Sequence, residues 1–197
     1  MTTDVLTAPT PERSPLLTAR LTGVFWLLTF LTGSASMVAP ASRLGVVVNL
    51  VSTACYVGAT VFAYSLLKPV NRQVSLLGMF FSLAGCAIGA LAALGLLAPQ
   101  APRVAFLFFG LHCITVGYLI LRSTFLPRAV GALMVFGGLG WLAFSLVTLL
   151  SPTFAKSLSP YLMVPGILGE ATLTFWLLVK GVDVERWTEQ ARATEHV

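Results

Sequence analysis

Two ionisable side chains lie deep within apolar stretches of the sequence, and the chemistry of the chain is expected there. His112 is near the middle of the apolar run 104–121, and Glu170 is near the middle of the run 161–179. Ionisable residues inside a membrane span are costly and usually face a protein interior or a cavity, so each is a candidate functional residue. An imidazole and a carboxyl group can together anchor a ligand or exchange a proton.

The two candidates are expected at the same depth. Both runs are entered from the same side, and His112 and Glu170 each follow the start of their run by a similar number of residues. A rise of about 1.5 Å per residue places both roughly 12–14 Å below the same edge. Thr115 lies one turn from His112, and Gly166 and Thr174 lie one turn from Glu170, so these residues complete the predicted ligand site. Gly166 would leave room for a ligand or a neighbouring helix.

Three functions are compatible with such a site. The leading hypothesis is a small cavity near the membrane midplane that binds or moves a small or lipid-like molecule. The second is a membrane-embedded enzyme that uses Glu170 and His112 as an acid–base pair. The third is a structural or accessory membrane subunit, in which a buried hydrogen bond fixes the helix register. A cavity with water access at Glu170 favours the first two, and a dry, tightly packed Glu170 favours the third.

Common signatures of other chemistry do not occur in the sequence. The chain has no P-loop, HExxH, GxSxG or GxGxxG pattern, and its three cysteines form no CxxC pair. One mid-span histidine cannot supply a bis-histidine haem site, and a zinc site would need more ligands than His112, Cys113 and Glu170 readily give. We therefore predict no metal and no cofactor.

The elements that hold these residues follow from composition. The 197 residues are 57% hydrophobic and 10% charged, whereas a soluble domain averages about 45–50% apolar and about 25% charged residues. A small soluble domain has too much surface to hide this apolar content. The lipid bilayer is thus the main expected partner.

Six apolar runs have the length of membrane spans, which is about 17–25 residues for a helix. Backbone groups in lipid must be paired internally, so the runs are expected to be helices. The predicted fold is an all-α, six-transmembrane-helix bundle over 20–181, between a disordered tail at 1–19 and a short tail at 182–197. The spans are 21–38, 44–67, 74–98, 104–121, 129–150 and 161–179.

The net charge of +5 is interpreted as an orientation signal rather than as a nucleic-acid patch. With a cytoplasmic N-terminus, nine basic residues fall on the inner side: Arg13, Arg20, Lys68, Arg72, Arg122, Arg128, Lys180, Arg186 and Arg192. Three fall outside: Arg43, Arg103 and Lys156. The charges therefore predict a multi-pass membrane protein with both termini in the cytoplasm. The Arg- and Ala-rich composition is typical of a GC-rich bacterial genome, so the expected location is the bacterial cytoplasmic (inner) membrane. No nucleic-acid partner is expected.

One alternative concerns the first span. Ala39-Pro40-Ala41 is a small-x-small pattern that could be a signal-peptide cleavage site. The preceding apolar run is longer than the core of a usual signal peptide, which is about 7–15 residues, so a retained helix is favoured.

Glycines mark expected helix contacts. Gly85 and Gly89 share one face of the third span, and Gly131 and Gly138 share one face of the fifth. We expect these faces to allow close packing within the monomer. A homodimer through either face is the alternative.

The sequence also resembles a known family around residues 112–138 and 170–181. The first block comprises His112, Gly117-Tyr118-Leu119, Arg122-Ser123, Leu126-Pro127-Arg128, Gly131 and Gly137-Gly138, and the second comprises Glu170 and Trp176 to Gly181. These blocks are similar to a family of bacterial multi-pass membrane proteins known only as a domain of unknown function. The resemblance implies a six-helix membrane protein, and it implies no activity.

Overall fold

The computed structural model describes residues 14–39 and 42–195, and within these ranges it is helical with no strand. Six of its helices are long and apolar enough to cross a membrane, which confirms the predicted all-α fold with six spans. The helices are α1 (Pro15–Ser36), α2 (Arg43–Leu67), α3 (Arg72–Ala93), α4 (Ala101–Arg122), α5 (Arg128–Leu150), α6 (Pro152–Val179) and α7 (Val184–Glu195).

All six long helices begin before their predicted spans, and α1 and α6 do so by more than one helical turn. Helix α1 starts at Pro15, so residues 15–19 form its first turns rather than part of a tail. Helix α6 starts at Pro152. Proline suits the first turn of a helix because the N–H that it lacks would have no helical partner there. Hydropathy detects only the lipid-facing length of a helix and misses such polar first turns. Tail residues 1–13 and the pair Pro40-Ala41 lie outside the described residues.

The six long helices form a closed ring. Each helix from α1 to α5 packs against the next one, and α6 packs against α1. This agrees with the short connections, which make consecutive helices antiparallel neighbours. Helix α4 is the most buried, with half of its apolar stretch inside the protein. Its buried face meets side chains from α1, α2 and α6, including Trp26, Tyr56 and Leu173.

Glycines bring the backbones of α4 and α5 together. A methyl group at Gly117 would lie 2.7 Å from the carbonyl oxygen of Gly131, and one at Gly138 would lie 2.7 Å from that of Gly110. Such distances are too short for a carbon side chain, so both helices need glycine along this contact. The predicted packing face of Gly131 and Gly138 is thus covered by α4 of the same chain.

The glycines of α3 differ from those of α5. The ring of Phe109 covers Gly85, whereas no described atom lies within 4 Å of a methyl group placed at Gly89. A homodimer through the Gly85/Gly89 face stays a prediction.

Helix α5 has a second glycine face that packs on α6. A methyl group at Gly137 would lie 2.9 Å from the carbonyl oxygen of Pro165, and one at Gly169 would lie 2.6 Å from that of Leu133. Helix α5 is therefore held at close range on two sides, and the residues of α4, α5 and α6 that face the interior are fixed relative to one another.

The C-terminal segment, predicted as a short tail, contains helix α7. A left-handed residue, Gly181 with φ +70°, ends α6 and turns the chain towards it. Helix α7 then crosses the α2–α3 and α4–α5 turns. Its hydrogen bonds join Trp187 Nε1 to Leu66 O (2.8 Å), Thr194 Oγ1 to Pro69 O (2.7 Å), and Gln190 Oε1 to Thr124 N (3.0 Å). This end of the bundle is therefore capped by the chain's own last helix.

Candidate functional site

Glu170 lies in the interior of α6 and is 6% exposed. Its Oε1 atom accepts a hydrogen bond from Trp141 Nε1 at 2.7 Å. The thiol of Cys113 donates to the same oxygen, with 3.4 Å between sulfur and oxygen. Because these partners belong to α5 and α4, the carboxyl group of Glu170 links three helices.

The bond from Trp141 depends on Gly166, one turn before Glu170. The indole of Trp141 lies directly on Gly166, and a methyl group there would overlap its ring carbons. Gly166 was expected to make room for a ligand or a neighbouring helix, and the structure shows that the neighbouring helix fills this space. The absence of a side chain at Gly166 thus allows the indole to reach the carboxyl group.

His112 is 1% exposed and bonds to a different helix. Its Nδ1 atom lies 2.9 Å from the carbonyl oxygen of Gly78 on α3. A carbonyl oxygen only accepts hydrogen bonds, so Nδ1 must carry the hydrogen. A charged ring at this depth would need an anionic partner, and the Glu170 carboxyl bonds to Trp141 and Cys113 instead. The neutral ring therefore presents Nε2 as an acceptor.

Three buried polar atoms from three helices have no hydrogen-bond partner in the described part of the chain: Trp26 Nε1, the Tyr56 hydroxyl and His112 Nε2. Trp26 is 1% exposed and Tyr56 is 7% exposed. The ring centres lie 6.3 Å apart for Trp26 and Tyr56, 6.3 Å for Trp26 and His112, and 6.0 Å for Tyr56 and His112. We call these three residues the ring triad.

The ring triad and Glu170 belong to one interior region. His112 of the ring triad is followed directly on α4 by Cys113, whose thiol donates to Glu170. Together, the ring triad, Glu170, Trp141 and Cys113 are called the polar centre below. His112 and Glu170 both belong to it, but they hydrogen-bond to different partners. The direct acid–base pair that the enzyme hypothesis requires is therefore not formed.

The two ends of the polar centre differ. Towards the start of α4, Phe106 stacks on Trp141 with ring centres 4.9 Å apart, and Phe109 lies 4.9 Å from Tyr56. Aromatic rings thus close this end. Towards the end of α4 there are two small spaces, one bordered by His112 and the other by Trp26. Each has room for about one water molecule.

The two spaces share the apolar walls Ala63, Leu67 and Val116, and neither is lined by Glu170. These small spaces lie beside His112 and Trp26, on the side where α7 caps the bundle, and the cavity between His112 and Glu170 stays a prediction.

The two predicted threonines bond to their own helices. Thr115 Oγ1 donates to Leu111 O at 2.7 Å, and Thr174 Oγ1 donates to Glu170 O at 2.7 Å. Their hydroxyl groups are therefore already engaged. Thr115 also lies against Gly78, where a methyl group would be 3.1 Å from its Cγ2 atom. Both residues lie near the polar centre, and their ligand-binding role stays a prediction.

Sequence reasoning missed several members of the polar centre. The sequence patterns do not single out Trp26, Tyr56 or Trp141 as site residues, and they bring in Cys113 only as one of too few ligands for a zinc ion. One signal was present, because tryptophan and tyrosine carry a polar atom that seeks a partner when buried. Across the described ranges, no three His, Cys, Asp or Glu side chains come together in a way that could hold a metal ion.

We expect Trp141→Phe to destabilise the protein. Phenylalanine keeps an aromatic ring against Phe106 but removes the donor to Glu170, and a buried acceptor that loses its partner costs about 1–3 kcal/mol. The free energy of unfolding in detergent measures the effect. Trp176→Phe is the control, because Trp176 is half-buried on α6 and its indole N–H makes no hydrogen bond among the described residues. An equal loss in both variants would show that the Trp141–Glu170 bond contributes nothing.

One family profile matches the second half of the bundle. Residues 99–181 match the sequence profile of a family described as "Domain of unknown function (DUF4386)". An "Uncharacterized protein" from Archaeoglobus fulgidus is 28% identical over 129 residues, which are 64% of this chain and 76% of that protein. No solved structure matches the chain. The chain is thus an integral, multi-pass membrane protein, and the match of its residues 99–181 to DUF4386 confirms the predicted resemblance to a family of unknown function.

Proposed function

We propose that the chain is a protein of the bacterial cytoplasmic membrane that binds a small molecule at its polar centre. The observation that carries the proposal is the ring triad, whose three polar atoms lack partners in the described protein. More than about 90% of buried polar groups in proteins are hydrogen-bonded, and each exception calls for an explanation. A bound molecule that bonds to all three atoms supplies one.

Helix packing alone is a weaker explanation for the polar centre. Side-chain hydrogen bonds between membrane helices average about 0.6 kcal/mol, whereas each buried polar atom without a partner costs about 1–3 kcal/mol. The destabilisation by three such atoms exceeds the stabilisation by the hydrogen bonds that Trp141 and Cys113 donate to Glu170. A purely structural core would be more stable with apolar side chains at Trp26, Tyr56 and His112.

The size of the site favours a small ligand over a lipid-like one. Each of the two spaces beside the ring triad has room for about one water molecule. A lipid chain would require the six long helices to separate. The glycine contacts oppose this, because they hold the backbones of α4, α5 and α6 in close contact. A very small molecule therefore requires the least rearrangement of the helices.

The direction of access follows from the proposed orientation. The excess of Lys and Arg at the end that α7 caps makes that end cytoplasmic under the positive-inside rule. The small spaces then lie on the cytoplasmic side of the ring triad, and the rings of Phe106 and Phe109 lie on the outer side. We therefore propose that the ligand enters from the cytoplasmic half.

Reporter fusions to the C-terminus test this orientation. We expect a fused green fluorescent protein to fluoresce, because it folds in the cytoplasm, and a fused alkaline phosphatase to be inactive, because it requires the periplasm. The same reporters fused after residue 96, in the α3–α4 connection, should give the opposite pattern. An active phosphatase at the C-terminus would contradict this orientation.

The binding function is tested by mass spectrometry of the intact protein, released from native membranes in a mild detergent. We expect a small molecule to remain bound to the wild type and to Tyr118→Phe, whose altered ring is 43% exposed. The molecule should be lost from the double variant Tyr56→Phe/His112→Phe. A wild-type protein that carries only phospholipid and detergent would contradict the proposed function.

A further inference from the structure

We propose that the ring triad selects a neutral hydroxyl group, carried either by a water molecule or by a small alcohol. The alcohol form rests on the proposed binding function, whereas the water form does not. In both forms a single oxygen lies among Trp26 Nε1, the Tyr56 hydroxyl and His112 Nε2 and bonds to all three.

The hydrogen-bonding capacities of the three atoms define the occupant. The indole Nε1–H of Trp26 only donates, so the occupant must accept from it. The Nδ1–H of His112 is committed to Gly78 O, so its Nε2 atom only accepts and the occupant must donate to it. The Tyr56 hydroxyl can do either.

A hydroxyl group meets these demands fully. It has one hydrogen and two lone pairs. The hydrogen bonds to His112 Nε2, and the lone pairs accept from the Trp26 indole and from the Tyr56 hydroxyl. Water offers the same arrangement with one additional hydrogen. The three rings are mutual neighbours, with ring centres 6.0–6.3 Å apart, so the occupant that we propose between their polar atoms is a single oxygen rather than a long chain.

Charged groups do not satisfy the ring triad. A carboxylate or phosphate dianion has no hydrogen for His112 Nε2, and an ammonium group has no lone pair for the Trp26 indole. Each would also bring an unpaired charge into a region where Trp26 and His112 are both 1% exposed. The carboxyl group of Glu170 offers no compensation to a cation, because it already accepts from Trp141 and Cys113.

The surroundings indicate how an alcohol would lie. The spaces next to Trp26 and His112 share the walls Ala63, Leu67 and Val116, which offer no side-chain hydrogen bond. Each space has room for about one water molecule, so the alcohol that we propose is a very small one, whose alkyl carbon would occupy one of these spaces while its hydroxyl bonds to the ring triad. On the opposite side, Phe109 packs against Tyr56 and closes the region.

Nuclear magnetic resonance of the full-length chain in detergent, with ¹⁵N in the tryptophan and histidine rings, tests the proposal. Trp26→Phe identifies the Trp26 signal among the four tryptophans. We expect the Trp26 indole proton at lower field than that of Trp176, and His112 Nε2 as a hydrogen-bonded acceptor without a proton. Cross-relaxation from the indole proton to water identifies the water form, and cross-relaxation to alkyl protons identifies the alcohol form. A proton on Nε2, or an indole proton without any bound partner, would overturn the proposal.

Titration with three probes of similar size tests selectivity. In the alcohol form, ethanol is expected to shift the Trp26 signal in a saturable manner. In both forms, acetate and ethylammonium are expected to leave it unchanged. The hydroxyl assignment would be overturned if acetate or ethylammonium shifted the Trp26 signal in a saturable manner and ethanol did not.

Thermal stability gives a second, independent result. Tyr56→Phe should lower the melting temperature if the hydroxyl bonds to a bound oxygen, and should leave it unchanged or raise it if nothing binds there, which would count against the proposal. Tyr118→Phe is the matched control and should have no effect.

The outcomes for the two proposals are distinguishable. Retention of a charged molecule in the mass spectrum, with contact to Trp26, would support the binding function and overturn the hydroxyl assignment. A water molecule at the ring triad, with no small molecule retained, would support the hydroxyl assignment and contradict the proposed binding function.

Discussion

Gly166→Ala is expected to be among the most damaging single substitutions in the chain. The added methyl group would overlap the indole ring of Trp141, so the ring must move or α5 and α6 must separate. Overpacking of this kind typically costs about 1–3 kcal/mol. Displacement of the indole also breaks its bond to Glu170 and leaves a buried acceptor unpaired, at a further cost of about 1–3 kcal/mol. We therefore expect a large fall in the melting temperature in detergent.

Gly89→Ala is the matched control for that substitution. It makes the same chemical change in a membrane helix, but no described atom lies within 4 Å of the new methyl group. Alanine is preferred over glycine in helix interiors by about 0.5–1 kcal/mol, so this variant should be neutral or slightly more stable. If Gly166→Ala and Gly89→Ala behaved alike, the contact between Trp141 and Gly166 would not be a determinant of the fold.

Gly138→Ala should have the second large effect, through the α4–α5 contact. The methyl group would lie 2.7 Å from the carbonyl oxygen of Gly110 and 2.8 Å from the backbone nitrogen of Ile114. Backbone atoms cannot rotate away as a side chain can, so the two helices must move apart. The expected cost is at the upper end of the range for overpacking, about 3 kcal/mol.

Unfolding of Gly138→Ala by sodium dodecyl sulfate, followed by circular dichroism, measures this cost. Because α4 carries His112 and Cys113, the same variant should also weaken retention of any molecule bound at the polar centre. An unfolding curve that matches that of the wild type would contradict the close approach of the two helices.

The fold was predictable because it depends mainly on the pattern of hydrophobicity along the sequence. Six apolar runs with the length of a bilayer span require helices, and short connections require antiparallel neighbours. Helix α7 was not predicted, because hydropathy does not detect a polar helix at the end of a bundle. Asp183, which accepts from the backbone N–H of Arg186 at 3.1 Å, and the buried Trp187 four residues later were the available signals.

The depth of the polar centre in the membrane was predictable from the sequence, but the helix faces that form it were not. Equal depth of His112 and Glu170 was the sequence argument, and a residue of α4 at that depth does contact Glu170. It is Cys113, one position along and about 100° around the helix from His112. Helix rotation is set by packing, here by the glycine contacts of α5 with α4 and α6, and a single sequence does not show which faces meet.

The central claim is that the interior of the bundle binds a molecule through the ring triad. A map of the purified full-length chain by cryo-electron microscopy or crystallography, at a resolution that shows ordered water, tests this most directly. We predict a separate density peak within hydrogen-bond distance of Trp26 Nε1, the Tyr56 hydroxyl and His112 Nε2. A map in which these three atoms bond only to one another or to other protein atoms, with no density between them, would contradict the account.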